Sequence, residues 1–465
     1  MRIFLHILMA LAILVPIFGP TPVGLTVGAW RLFGIFFAVI LALIARPFPE
    51  PVCMLIAFTL AGIVAVPLTN LLPGYMDNTL WMCITAMIMS AGLRKSGLTE
   101  RLGLWMIYKW GKTSLRLGYI VSFMDLCLAT STPASPARTG GIVFPLSMGI
   151  VEASKKTATL MPKELASYLV LLLYMVSMTT GSLFMTGMAP NLINVKLAHD
   201  LLEIDISWTM WFVAALPGVL SFLLLPWLVF KLYPPSLRDL RPIQATAADK
   251  LAKLGPVRPK EYITGSIFIL ILALWSTEAI TGINTTLVGF IGVSLMLIFR
   301  ILHWEDIDKA SGIWNFFTWF GAILGFSSAL IKVGFFKWVT TVLGALLSNV
   351  HLGLLPLFLL LALLAILPHY FFASLGGYVA SFAPLIFSFV VITNMPKYPA
   401  FFLAAFLMVI SSSLTHYGNA LGPMLLATGY VEEGIWWRIG FLLTFFQMLV
   451  YLVIGLPYWH IIGLW

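Results

Sequence analysis

The chain has 465 residues, 60% of them hydrophobic and only 10% charged, with a mean hydropathy of +1.00. Soluble domains carry roughly 25% charged residues, so the composition excludes a soluble enzyme or a soluble nucleic-acid-binding domain and indicates an all-α polytopic membrane protein. The net charge of +9 lies in short loops between apolar spans, where cytoplasmic lysine and arginine accumulate in membrane proteins, and Cys53, Cys83 and Cys127 are too scattered for a disulfide framework or a metal site.

A helix needs about 20 apolar residues to cross the hydrocarbon layer. On that length, spans are expected at about 3–19, 23–46, 51–71 and 79–94. The first follows Arg2 and lacks a small-residue cleavage site, so it reads as a retained helix rather than a signal peptide. Glu100 to Arg116 mixes Arg101, Lys109 and Lys112 with Trp105, Tyr108 and Trp110, the composition of a helix lying in the interface. Residues 117–153 form an apolar but interrupted segment. A span broken near Gly187 to Asn191 follows at about 164–200, then a span at 207–232.

Pro234 to Glu261 is a polar linker containing Arg238, Arg241, Lys250, Lys253, Arg258 and Lys260, expected on the cytoplasmic side. Beyond it come spans at about 262–280, 284–301 and 311–331. A stretch around Lys332 and Lys337 is followed by an interrupted segment at 350–392. A broken span at 398–434 and a final one at 438–457 complete the chain. With the N-terminus in the cytoplasm, Arg46, Arg94, Lys95, Lys155, Lys156 and the linker all fall inside, provided that 117–153 enters and leaves on one side. The expected fold is therefore about 11 transmembrane helices with two re-entrant hairpins in an inverted repeat. Its parts are an extra helix at 1–22, a first repeat at 23–233, the linker at 234–261 and a second repeat at 262–465.

The two interruptions organise the rest. Leu128 to Pro145 carries hydroxyls, Pro133, Pro136, Gly140, Gly141 and Arg138 at membrane depth, where irregular backbone survives only if protein buries it or water reaches it. A related pattern, Ala373 to Pro384, returns about 239 residues later, with Ser135 to Pro145 and Ser374 to Pro384 equally spaced. Paired polar interruptions in two halves point to a transporter's binding site. An enzyme would need a nucleophile–base pair or a metal cluster, and the seven histidines form no ligand spacing. A channel would carry charged or carbonyl rings.

Thr132-Pro133-Ala134-Ser135-Pro136-Ala137-Arg138-Thr139-Gly140-Gly141-Ile142-Val143-Phe144-Pro145 resembles the first signature of the divalent anion:sodium symporter family. The nearer likeness is to its branch of bacterial citrate/succinate and tartrate/succinate antiporters and plastid 2-oxoglutarate/malate translocators, where the pattern reads Thr-Pro-Ser-Asn-Thr-Ala-Arg, a variable residue, then Gly-Gly. Leu414-Thr415-His416-Tyr417-Gly418 followed by Pro423 and Gly429-Tyr430-Val431 looks like that branch's second signature. The resemblance implies an elevator transporter, usually a homodimer, in which a transport domain of hairpins and broken helices slides against a scaffold. It also implies that each hairpin tip grips a substrate carboxylate. Where the family has Ser-Asn-Thr, this chain reads Ala134-Ser135-Pro136 and Ser374-Leu375-Gly376.

The expected substrate-binding residues are Ser135, Pro136, Arg138, Thr139 and Gly140 at the first tip and Ser374, Gly376 and Gly377 at the second. Thr186 and Asn191 at the first helix break and Thr415, Asn419 and Pro423 at the second complete the set. Half-helix N-termini suit anions, and unwound carbonyls suit cations, so sodium is a candidate coupling ion at Gly187, Met188, Gly418 and Ala420; no organic cofactor is expected. Arg138 either neutralises a substrate carboxylate or braces the hairpin, with Asp125 as the alternative partner. His416 is a candidate proton carrier, and His369 is placed at the edge of the outer hairpin. The function expected is secondary transport of small dicarboxylate or tricarboxylate anions across the cytoplasmic (inner) membrane, by exchange. Sodium-coupled symport, or another organic anion such as a sulfonate, is the alternative. Expected partners are the substrate anion, the lipid bilayer and a second copy of the chain, with no nucleic acid.

Overall fold

The computed structural model describes residues 2–45, 47–154, 162–235, 239–347 and 352–465. Arg46, Lys155, Lys156 and Arg238, which carry part of the topology argument, lie outside the described residues.

The first half opens with α1 (Arg2–Phe18), α2 (Val27–Ala45) and α3 (Glu50–Val64). After a one-turn helix and a 3₁₀ turn, α4 (Asn78–Ser96) begins at Asp77, whose carboxylate accepts the Thr79 N–H at 2.8 Å; α5 (Leu98–Trp110) follows. The interfacial segment expected to reach Arg116 ends sooner. Thr113 accepts the Arg116 N–H and caps a new helix, α6 (Ser114–Ala129). A turn at 130–135 reverses the chain into a π-helical stretch (Pro136–Val143) and α7 (Phe144–Ser154). The wide turn has a covalent cause. Pro145 has no N–H to return to Gly141, and the Phe144 N–H reaches back five residues to Thr139.

Next come α8 (Pro162–Leu183), a break, α9 (Ala189–Leu197) and α10 (Trp208–Leu232). The polar linker holds a helix of its own, α11 (Arg241–Leu254). It lies on α5 and α7 and is tied by the Leu240 N–H to the Lys112 carbonyl at 2.9 Å. Arg101 of α5 clasps its end through the Glu261 carboxylate and the Gly255 and Pro256 carbonyls.

The second half repeats the order. It runs through α12 (Pro259–Ser276), α13 (Thr285–Ile298), α14 (Ser311–Lys332) and the shorter α15 (Phe335–Leu347). A helix pair follows, α16 (Leu354–Ile366) and α17 (Leu375–Ile392), then α18 (Lys397–Ile410), an irregular break, and the six-residue α19 (Leu421–Leu426). The chain closes with α20 (Glu433–Val450) and α21 (Leu456–Ile461).

Two groups of helices result. α2, α3 and α4 pack with α12, α13 and α14, while α6 to α10 pack with α16 to α21. α8 is the axis of the second group, touching α6, α10 and α18 and buried along its whole apolar length. A helix apolar on all sides needs such enclosure in protein or lipid. Among the described residues, seven helices are long and apolar enough to cross a membrane, and both arms of the second helix pair are among them. Length therefore does not separate a re-entrant arm from a crossing helix in this chain.

Candidate functional site

At the first hairpin the turn 130–135 lies against the break between α8 and α9. The Thr186 hydroxyl donates to the Thr130 carbonyl, and the Ala189 N–H donates to the Pro133 carbonyl at 3.0 Å. Beneath this turn Arg138 is 0% exposed. Its Nε donates to Asp125 (3.2 and 3.3 Å), its Nη1 to the Thr132 and Gly187 carbonyls (2.9 and 2.8 Å), and its Nη2 to the Ser177 carbonyl and hydroxyl (2.9 and 3.1 Å). A guanidinium has five N–H donors, and all are spent on protein. These contacts are those of a brace, and in this arrangement they leave no donor for a substrate carboxylate.

Two neighbours are also engaged within the protein. Thr139 bonds to Asp125 and, at 2.6 Å, to the Ser177 hydroxyl. Gly140 packs under Met424 and Leu421 of α19, where a Cβ would come within 2.8 Å of the Met424 sulfur. Asp125, also fully buried, takes hydrogen bonds from Arg138, Thr139 and Thr180. Ser135 and Pro136 remain at the tip. Beside them are two hydroxyls not singled out in the sequence: Ser131 Oγ and Thr132 Oγ1 are buried without a hydrogen-bond partner. A buried, unpaired polar atom calls for a ligand or water. The run Thr130-Ser131-Thr132 in apolar surroundings was the available signal.

At the second hairpin Ser374 is the N-cap of α17, accepting the Gly377 N–H at 3.3 Å. Gly376 and Gly377 are closely packed on the other helix group. Added Cβ atoms would stand 2.9 Å from Trp319 of α14 and 3.2 Å from Leu43 of α2, so this arm leans on the other helix group. His369 lies in the turn between α16 and α17, where it is 1% exposed and stacked on Tyr378 with ring centroids 4.4 Å apart. Its Nε2 donates to the Gly418 carbonyl at 2.9 Å, since a carbonyl only accepts, and its Nδ1 meets the Ser411 hydroxyl at 2.7 Å. His416 is held elsewhere, its Nδ1 accepting the Trp437 indole N–H at 3.0 Å.

The two breaks share one construction. Gly187 follows Gly181 by six residues and Gly418 follows Ser412 by six. A Cβ on Gly187 would lie 2.6 Å from the Gly181 carbonyl oxygen, and one on Gly418 would lie 2.5 Å from that of Ser412. Only glycine lets the two backbones approach so closely. At the first break Asn191 Nδ2 donates to the Gly181 and Phe184 carbonyls (2.8 and 2.9 Å), and its Oδ1 is buried and unpaired. Thr186 also accepts the Trp208 indole N–H; Met188 ends the break.

At the second break Asn419 Oδ1 accepts the Leu421 and Gly422 N–H groups, while its Nδ2 donates to Ser412 Oγ and Met178 Sδ. The Tyr174 hydroxyl bridges the Ser412 and Thr415 carbonyls at 2.8 and 3.0 Å. Ala420 is the residue before α19, and Pro423 lies within that helix. Each break's glycine carbonyl thus meets a nitrogen side chain from its own half's hairpin, Arg138 at Gly187 and His369 at Gly418. Each hairpin's second arm packs on the other half's post-break helix, the π-stretch on α19 and α17 on α9. No group of three metal-ligating side chains occurs among the described residues.

The sodium:sulfate symporter transmembrane region matches residues 2–465. The inner membrane protein YbhI of Escherichia coli strain K12 is 36% identical over 460 residues, covering 96% of this chain and 95% of its own. A putative malate transporter of Bacillus subtilis strain 168, YflS, is 32% identical over 451 residues, covering 96% of this chain and 94% of its own. Among solved structures, the Alcanivorax borkumensis YdaH transporter superposes with a TM-score of 0.53 at 15% identity, over 85% of this chain and 88% of that one, a likeness of fold.

Proposed function

We propose that this chain, which belongs to the sodium:sulfate symporter family of membrane transporters, exchanges small dicarboxylate anions across the inner membrane. It is a transporter and not an enzyme. The substrate class is supported by the malate transporter among its relatives and by the unpaired hydroxyls at the first tip.

The observation that carries exchange is the occupancy of the break carbonyls. Gly187 and Gly418 would serve a coupling sodium, yet their oxygens accept from Arg138 and His369. A sodium ion there would have to share each oxygen with a protein donor, and at Gly187 that donor is itself a cation. A fixed guanidinium and an imidazole N–H hold the two breaks without a transported cation, which leaves a second anion as the partner for turnover. Sodium symport, with ions at Gly187, Met188, Gly418 and Ala420, is the reading this arrangement disfavours.

An elevator is supported by the two helix groups and by the hairpins' cross-packing. The matched glycines at the breaks support repeats at 23–233 and 262–465. A homodimer with a cytoplasmic N-terminus is what the family resemblance and the basic loops support.

Competition in proteoliposomes tests the substrate class. Unlabelled succinate, malate, 2-oxoglutarate, tartrate and citrate, added with labelled succinate, are expected to inhibit uptake where sulfate does not. Silence of verified folded protein toward every dicarboxylate would contradict it. Aspartate caps a helix about as well as serine. Ser374→Asp is therefore expected to keep the melting temperature and, by placing like charge at the tip, to raise KM for a dianion at least about tenfold. An unchanged KM would take Ser374 out of the site.

A further inference from the structure

A cavity of about 340 Å³ whose lining includes neither Ser135 nor Ser374 is bounded by Arg94, Thr99 and Glu100 around the α4–α5 junction, by Gly141 to Gly149 of the first hairpin's second arm, and by Lys250 of α11. The hairpin wall carries no polar side chain: Gly141, Pro145 and Gly149 alternate with the aliphatic Ile142 and Leu146. A Cβ at Gly141 would meet only the Pro136 carbonyl, at 3.7 Å. Lys250 Nζ stands against the same wall, donating to the Gly149 carbonyl at 3.4 Å. Arg94 donates to Ser90 Oγ at 3.3 Å. Neither cation forms an ion pair among the described residues. Two cations from different elements therefore face one carboxylate, Glu100, across an open space.

We propose that this cavity is a second anion site, a vestibule in which Arg94 and Lys250 hold a small dianion beside the first hairpin before or after it occupies the tips. The proposal rests on the dicarboxylate reading above. Three features fit a carboxylate-bearing ligand rather than a passive charged surface. The cations come from the α4 end and the linker helix, so their separation is set by the fold. The third wall is glycine, proline and aliphatic side chain, an apolar surface suited to the ligand's carbon chain. The wall also belongs to the hairpin that carries Ser135, so the ligand waits on the element it must reach. A cleft with one dominant sign of charge raises local counter-ion concentration and association rate, and Arg94 is too exposed to serve as an internal brace. The linker helix thereby gains a task beyond joining the two repeats.

Thiol labelling tests this without requiring transport. Thr99→Cys is made with Cys127→Ser, which removes the exposed native thiol; Cys53 and Cys83 are buried. The modification rate is measured with a negatively charged sulfonatoethyl methanethiosulfonate and with neutral methyl methanethiosulfonate. The anionic reagent is expected to be favoured relative to a free thiol. Adding Arg94→Gln and Lys250→Gln is expected to cut that preference about fivefold. Raising the salt to on the order of 1 M, where the Debye length is about 3 Å, should do the same with no further substitution. Succinate is expected to slow labelling of the Arg94/Lys250 form and not of the double variant. A preference insensitive to both the charge removal and salt, or labelling that succinate does not slow, would overturn the proposal. Protection by succinate without exchange would instead fault the transport reading and leave the vestibule standing.

Discussion

Arg138→Ala is expected to remove most of the folded protein from the membrane rather than merely to weaken transport. The substitution strands the fully buried Asp125 carboxylate and leaves the Thr132, Gly187 and Ser177 carbonyls without their donor. Breaking a buried ion pair on one side costs about 3–5 kcal/mol, a large part of the 5–15 kcal/mol by which typical domains are stable. Detergent extraction followed by size-exclusion chromatography and thermal melting reads the loss. Asp125→Asn added to Arg138→Gln should recover part of it, because no charge is then left unpaired. Normal abundance and melting in Arg138→Ala, with only dianion kinetics altered, would return Arg138 to the substrate site.

Gly418→Ala is expected to abolish exchange while the membrane-embedded chain still assembles. The new Cβ would lie 2.5 Å from the Ser412 carbonyl oxygen, against an ordinary C···O approach of about 3.3 Å. The obstacle is backbone, which cannot rotate aside as a side chain can. Relief requires opening the break, which pulls the Gly418 carbonyl from His369 and the Ser412 carbonyl from Tyr174. Overpacking of this kind costs about 1–3 kcal/mol. The matching Gly187→Ala, 2.6 Å from the Gly181 oxygen, should fail in the same way by pulling Gly187 from Arg138. Initial counterflow rates normalised to folded protein measure both. Wild-type rates in either variant would mean that the breaks flex freely and that their carbonyl contacts do not shape the site.

The hairpins and breaks were legible because they violate the local rule for apolar helices. Hydroxyls and prolines cluster there, both Gly-Gly pairs of the chain fall in the hairpins, and the return of the Ser135 to Pro145 spacing 239 residues later marks the hairpins as paired. What each residue does there was less legible, since hydrogen bonding depends on which acceptors the fold gathers. Arg138 is 13 residues from Asp125 and 49 from Gly187, and no spacing rule links those three. His369 met its carbonyl 49 residues downstream for the same reason. Ser374 was read as a tip residue; that it also caps α17 depends on Gly377 presenting an N–H to it. Gly376 and Gly377 were read as tip glycines, but the reason for their small size, Trp319 and Leu43 of the other helix group, is a tertiary fact. The linker's helix escaped notice because α11 is short, polar and held by Arg101 and Lys112 rather than by a strong apolar stripe.

Arg138 and His369 hold the two break carbonyls, and on the proposed reading turnover is driven by a second anion. Counterflow in proteoliposomes tests it most directly. Labelled succinate is added outside vesicles that are either empty or loaded with unlabelled succinate, with sodium present or replaced by choline. Uptake that needs internal anion and is the same in choline as in sodium is the expected result. Uptake into empty vesicles that rises with an inward sodium gradient would contradict it and would place sodium at the breaks in spite of their occupied carbonyls.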